Sequence, residues 1–88
     1  MNPRRLWERI KQGNVHNVDY DDFVGLVEAF GFEFKRQKGS HQIFRHPSFE
    51  EKLNLQPLRD GAAKPYQVRD LVSLVTRNQL RLKGVEDT

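Results

Sequence analysis

The 88-residue chain contains no cysteine, which excludes disulfides, a thiol nucleophile and thiolate metal sites and permits a reducing compartment. It also lacks any run of 18 apolar residues, the length a membrane-spanning helix needs. The start, Met1-Asn2-Pro3-Arg4-Arg5, leads into Leu6-Trp7-Glu8-Arg9 without the apolar stretch of a signal peptide, so a cytoplasmic protein is expected. Internal repeats, low-complexity tracts and Pro/Gly/Ser-rich linkers are missing too. One continuous domain over residues 1–88 follows, and a two-domain enzyme is excluded. A chain this short buries only about 60% of its unfolded surface, so its core is thin.

What is present is charge, and it is segregated. Lys and Arg number 15 against 12 Asp and Glu, a net charge of only +3. Residues 19–30 carry Asp19, Asp21, Asp22 and Glu28 with no cation, whereas residues 35–46 carry Lys35, Arg36, Lys38 and Arg45 with no acid. A basic strip attracts polyanions by counterion release, and an acidic strip elsewhere orients their approach. Nucleic acid is the leading partner class, with two ordinary solvated faces as the plain alternative.

Pro3 in a first turn and Gly13 past the end frame a helix to about Gln12, with Leu6, Trp7 and Ile10 on one side. Asp19 is an N-cap, and Val18 with Phe23 has the spacing of a hydrophobic staple. Phe23, Leu26, Val27 and Phe30 then recur at threes and fours until Gly31 closes the second helix. From Phe32 the period drops to two, with Gly39-Ser40 as a turn before His41 to His46. Lys52-Leu53-Asn54-Leu55-Gln56 reads as a third strand, and Pro65 opens a last helix with Val68, Leu71, Val72 and Val75 as its stripe and the Tyr66 ring packed at its start. The fold class is therefore α+β, a three-stranded antiparallel sheet with helices on one face and the other face open.

Parity then assigns faces. With Phe32, Phe34, Phe44, Leu53 and Leu55 inward and no bulge, Lys35, His41, Arg45, Lys52, Asn54 and Gln56 fall on the open face. An imidazole among cations and amides on an open sheet suits a phosphodiester that needs a proton moved. His46, five residues on, points to the opposite face, so the two rings do not share a metal. No metal or other cofactor is expected. The second proton-transfer group is left open among His46, Lys38 and a solvent molecule.

Gly31-Phe32, followed by Arg36-Gln37-Lys38-Gly39-Ser40-His41-Gln42-Ile43-Phe44-Arg45-His46-Pro47, resembles the HicA family of bacterial type II toxin-antitoxin systems over residues 20–82, most specifically in Gly39-Ser40-His41. The resemblance implies a double-stranded-RNA-binding-domain-like fold (α-β-β-β-α), mRNA cleavage, His41 as the catalytic histidine, and a HicB-family antitoxin that masks the site. On it, residues 1–18 are an N-terminal extension bearing an extra helix, 19–82 the core and 83–88 a tail. Lys35, Lys38, Gly39, Ser40 and Arg45 are the candidate RNA contacts. Gly39 lets the backbone approach a phosphate, and the cations offset charge that develops on it.

Three functions compete. A metal-independent endoribonuclease and a non-catalytic RNA-binding module of the same fold predict the same binding and different products. A protein-interaction adaptor, contacting its partner through the acidic helix and the Trp7 helix, predicts no RNA binding.

Overall fold

Capping side chains start the first two helices and a proline starts the third. The computed structural model describes residues 1–82; the tail assigned to residues 83–88 lies outside them. Helix α1 spans Pro3–Lys11, its N-cap Asn2 accepting from Arg4 N at 2.8 Å. Helix α2 spans Tyr20–Ala29 with Asp19 accepting from Asp22 N at 3.0 Å and Asp21 and Asp22 in the first turn, where the helix dipole favours acids. Helix α3 spans Pro65–Asn78 and closes on Gln79 in the left-handed conformation. Between α2 and α3 run β1 (Glu33–Lys38), β2 (His41–Arg45) and β3 (Lys52–Leu55), antiparallel in the order β1-β2-β3. Three helices on an open three-stranded sheet make an α+β fold consistent with the double-stranded-RNA-binding-like architecture.

The core is the apolar face of this sheet against the helices. Phe23, Leu26, Val27, Phe44, Leu55, Val68 and Leu71 are all essentially inaccessible. Helix α1 adds Leu6 and Ile10, and Trp7 docks edge-on against Phe30 at the end of α2, with ring centroids 4.7 Å apart. Val18 and Phe23, the staple pair, are both fully buried. Leu74 joins the α3 stripe, while Val72 is only partly covered.

Strand β1 departs from regular alternation. The register pairs Phe34 with Phe44 and Arg36 with Ile43, so Lys35 is an extra, bulged residue with no cross-strand partner. Unbroken parity would carry Arg36 and Lys38 to the helix side. The bulge returns both to the open face, Lys38 directly opposite His41. The expected regular position of Lys35 is thereby corrected, since it has no cross-strand partner, while its ammonium still reaches the open-face Glu33, 3.0 Å from Oε1.

Phe34 is a second correction. It shares the helix-side face with Phe44, their rings meeting edge-on at 5.6 Å, yet it stays 47% exposed. Parity was right; coverage was not. β1 is an outer strand, and helix-to-sheet packing concentrates at the opposite strand, between α3 and β3. A third correction concerns Tyr66, whose ring is 55% exposed instead of packed.

Candidate functional site

The turn Gly39-Ser40 joins β1 to β2 with only two residues, and Gly39 has φ +62 while Ser40 does not have a positive φ. That is the pattern of a II′ hairpin, whose twist matches the flanking strands and whose first position favours glycine. Nothing lies within 4 Å of where a Cβ of Gly39 would stand, so the turn backbone is open to an approaching group.

His41 is the first residue of β2. It shares the open face with Arg36 and Lys38 of β1, Arg45 of β2, and Lys52 and Asn54 of β3, as the register requires. Four cations thus share this face with one acid, Glu33, which is engaged by Lys35. Arg45 lies four residues along the strand, about 13 Å from His41 at the usual rise, and its guanidinium reaches back to Glu50 O at 3.4 Å. Ser40 and His41 are each held from β3 or the residue after it. Asn54 Oδ1 lies 2.8 Å from His41 Nδ1, and Gln56 Nε2 donates to Ser40 Oγ at 2.6 Å while its Oε1 accepts from Lys64 Nζ at 2.9 Å.

A groove of about 450 Å³ runs along the outer edge of β3, between it and α3. His41 and Asn54 border it on the sheet side; Tyr66, Asp70, Ser73 and Arg77, a stripe spaced at fours and threes, form the helix wall. The open face therefore continues past His41 into a concave surface with an exposed aromatic ring.

The other histidine of the hairpin region is committed elsewhere. His46 Nδ1 accepts from Ser48 N at 3.1 Å, which leaves Nε2 to donate to Phe30 O, also at 3.1 Å. Its ring stacks on Phe49 at 4.7 Å and 7° and meets Phe32 edge-on. Of the candidates for second proton-transfer group, His46 is therefore on the wrong side with both nitrogens occupied. Lys38 faces His41. Among the described residues no three His, Asp or Glu side chains gather as metal ligands would.

The candidate residues are thus brought together unequally: Lys38, Gly39, Ser40 and His41 form one cluster, Arg45 sits at the far end of the same face, and Lys35 is the bulge. Sequence reasoning put Arg36 in the basic strip and Asn54 and Gln56 on the open face without naming them as holding contacts for the hairpin, and it gave no role to Gln67. The last carried a signal, since a glutamine beside Val68 and four residues before Leu71 sits on an otherwise apolar stripe of α3.

The frame and face together define a small α+β domain whose uncovered sheet is a cationic surface bearing a half-buried histidine. The family described as "HicA toxin of bacterial toxin-antitoxin" matches residues 20–75, well over half of the chain, and the protein belongs to that family. It is thus a toxin of a toxin-antitoxin system, a role that implies an antitoxin partner. No curated protein and no solved structure matches the chain. No helix among the described residues is long and apolar enough to cross a membrane.

Proposed function

We propose that this toxin is an endoribonuclease that cleaves mRNA in the cytoplasm by metal-independent acid/base catalysis at His41. The observation that carries the reading is the position of His41 at the end of an open face bearing Arg36, Lys38, Arg45 and Lys52, beside an open Gly39 backbone. RNA supplies its own nucleophile. His41 takes the proton of a 2′-hydroxyl, the 2′ oxygen bonds to phosphorus, and the bond from phosphorus to the 5′ oxygen breaks. The leaving oxygen takes a proton from Lys38 or water, and the products end in a 2′,3′-cyclic phosphate and a 5′-hydroxyl. The cations offset the charge that accumulates on the phosphorane.

On this reading residues 19–82 are the toxin core and residues 1–18 an extension. The antitoxin, of the HicB family, covers the same face with acidic or hydrogen-bond-accepting groups. The test is cleavage of a single-stranded mRNA by the wild-type chain and by His41→Ala, in excess chelator, with end-group analysis. Cleavage by wild type alone, leaving cyclic phosphate ends, is the expected result. Cleavage that stops with chelator and returns with magnesium, or that survives in His41→Ala, overturns it. RNA binding without cleavage by wild type selects the non-catalytic module instead.

A further inference from the structure

Gln67 is the one buried polar side chain among the described residues, 4% exposed on an otherwise apolar stripe of α3. Burying a carboxamide is costly unless its groups are bonded, and here they are. Gln67 Oε1 accepts from Gln56 N at 3.1 Å, and Nε2 donates to Asn54 O at 3.1 Å. One side chain from α3 thus takes the place of a neighbouring strand along the outer edge of β3. Both residues it grips send their side chains to the hairpin: Asn54 reaches His41 and Gln56 reaches Ser40.

The chemistry of the contact at His41 is directional. A carboxamide oxygen only accepts, so the ring nitrogen 2.8 Å from Asn54 Oδ1 carries the hydrogen. In the neutral ring that hydrogen sits on Nδ1, and Nε2 keeps the lone pair. We propose that Asn54 is a positioning residue for His41, itself set by Gln67: the pair commits the imidazole to its Nδ1–H tautomer and presents Nε2 as the nitrogen that exchanges the proton with RNA. The proposal rests on the nuclease reading for its consequence but not for its geometry, and the experiment separates the two.

Charged and titratable groups around the ring are Arg36 and Lys38 from β1, Arg45 on its own strand, Lys52 from β3 and, bordering the groove, Glu51, Tyr66, Asp70 and Arg77. None of these takes the place of Asn54 at Nδ1, and Glu51 is already paired with Arg77 at 2.8 Å. The tautomer is therefore set by an uncharged partner, and a charge introduced there has a defined effect. Asn54→Asp keeps an acceptor and adds a negative charge that favours imidazolium, so the base limb of the pH profile moves to higher pH. Asn54→Ala removes the acceptor.

The test uses the full chain labelled with 15N. Imidazole nitrogen shifts of His41 above its titration report which nitrogen carries hydrogen, whether or not RNA is cleaved. Wild type is expected to have hydrogen on Nδ1, Asn54→Ala to shift toward the Nε2–H form, and Asn54→Asp to keep the wild-type tautomer. In cleavage, Asn54→Ala is expected to lower kcat about 3- to 10-fold with KM unchanged, the scale of one lost hydrogen bond. Asn54→Asp is expected to restore kcat at higher pH. Gln67→Met fills the buried space without bonding either backbone group and is expected to shift the tautomer in the same direction as Asn54→Ala. A wild-type ring with hydrogen on Nε2, or an Asn54→Ala chain with unchanged tautomer and kcat, overturns the proposal. Should Gln67→Met fail to fold, the Asn54 variants, altered only at an exposed side chain, still decide it. A wild-type chain with the Nδ1–H ring and no cleavage of RNA overturns the nuclease reading alone.

Discussion

Two histidines five residues apart occupy opposite sides of one hairpin, and their surroundings differ in kind. His46 is wedged between the end of α2 and Phe49, with one nitrogen bonded to a backbone N–H and the other to a backbone C=O. His41 sits on the open face with one nitrogen engaged by an amide and four cations on the surrounding surface. A ring whose two nitrogens both close backbone hydrogen bonds is a structural bracket; protonating it would set its Nδ1 hydrogen against the Ser48 N–H. A ring with one nitrogen held and one uncommitted is oriented for proton transfer. The residue type is the same, and the difference lies in which face the period-two chain gives it.

The sharpest way to break this contrast is to delete each ring and read both activity and stability. His41→Ala is expected to lower RNA cleavage by about 10²- to 10⁴-fold, the usual worth of a general acid or base, with the melting temperature nearly unchanged. His46→Ala is expected to do the reverse, costing about 1–3 kcal/mol of stability by leaving Ser48 N–H and Phe30 C=O without their partner, while the folded fraction still cleaves. Denaturant melts and single-turnover cleavage on both variants check this. A fully folded His46→Ala chain that has lost cleavage would dissolve the distinction.

Gly31 sharpens the bracket side of the comparison. Its φ is +99, and a Cβ there would stand 2.9 Å from His46 Nε2. Gly31→Ala is accordingly expected to cost on the order of 2 kcal/mol from backbone strain and displacement of the ring. Combining it with His46→Ala removes the clash but not the strain, so the two losses should add to less than their separate sum. Thermal melts of the three variants check this; full additivity would mean that Gly31 is needed for its backbone angle alone.

Why one histidine could be read from the sequence and the surface around the other only partly follows from the same physics. Helix starts and stops were legible because Asp19, Pro3, Pro65, Gly13 and Gly31 act locally, within a turn of where they stand. Parity was legible across β2 and β3 for the same reason, and it put His41 and Asn54 together on the open face. It failed in β1, since nothing in Glu33-Phe34-Lys35-Arg36 announces a bulge, and a one-residue slip reverses every later side chain. Phe34 and Tyr66 were misjudged for a different cause: alternation and capping say which way a side chain points, and only the tertiary arrangement says whether anything covers it. The holding contacts of Asn54, Gln56 and Gln67 join residues 11 to 16 positions apart, beyond the reach of any local pattern.

The bulge makes a finer comparison available on the open face itself. Lys35 is tied to Glu33, whereas Arg36 stands opposite Ile43 in mid-sheet. Arg36→Gln is expected to weaken RNA binding and lower the log-log salt slope by about 0.7, one phosphate contact on a single strand. Lys35→Gln should change the slope by much less, because its charge is already offset by Glu33. Titrations at three or more salt concentrations separate the two. Equal slopes for both variants would mean that the Glu33 contact leaves the charge of Lys35 fully available to RNA.

The smallest expected effect lies at the other end of the sheet, where the helix-covered side reaches the hairpin. Tyr20 donates to Gln42 Oε1 at 2.6 Å, and burial, with a lesser contribution from Asp21, raises its phenol above the ordinary value of 10.0. The sign of the consequence follows from linkage. The unfolded chain loses this proton near pH 10 while the folded chain keeps it to higher pH, so the contribution to stability is complete below about pH 10 and is lost as pH rises through the folded value. Tyr20→Phe removes the hydroxyl, costs about 1 kcal/mol at neutral pH through the lost hydrogen bond, and flattens the alkaline fall in stability. Melting temperatures of both proteins from pH 8 to pH 11 make the comparison, over a range chosen about the phenol value. The alkaline fall should be steeper in wild type than in Tyr20→Phe, and parallel curves would mean that the phenol in the folded chain titrates as it does in the unfolded one.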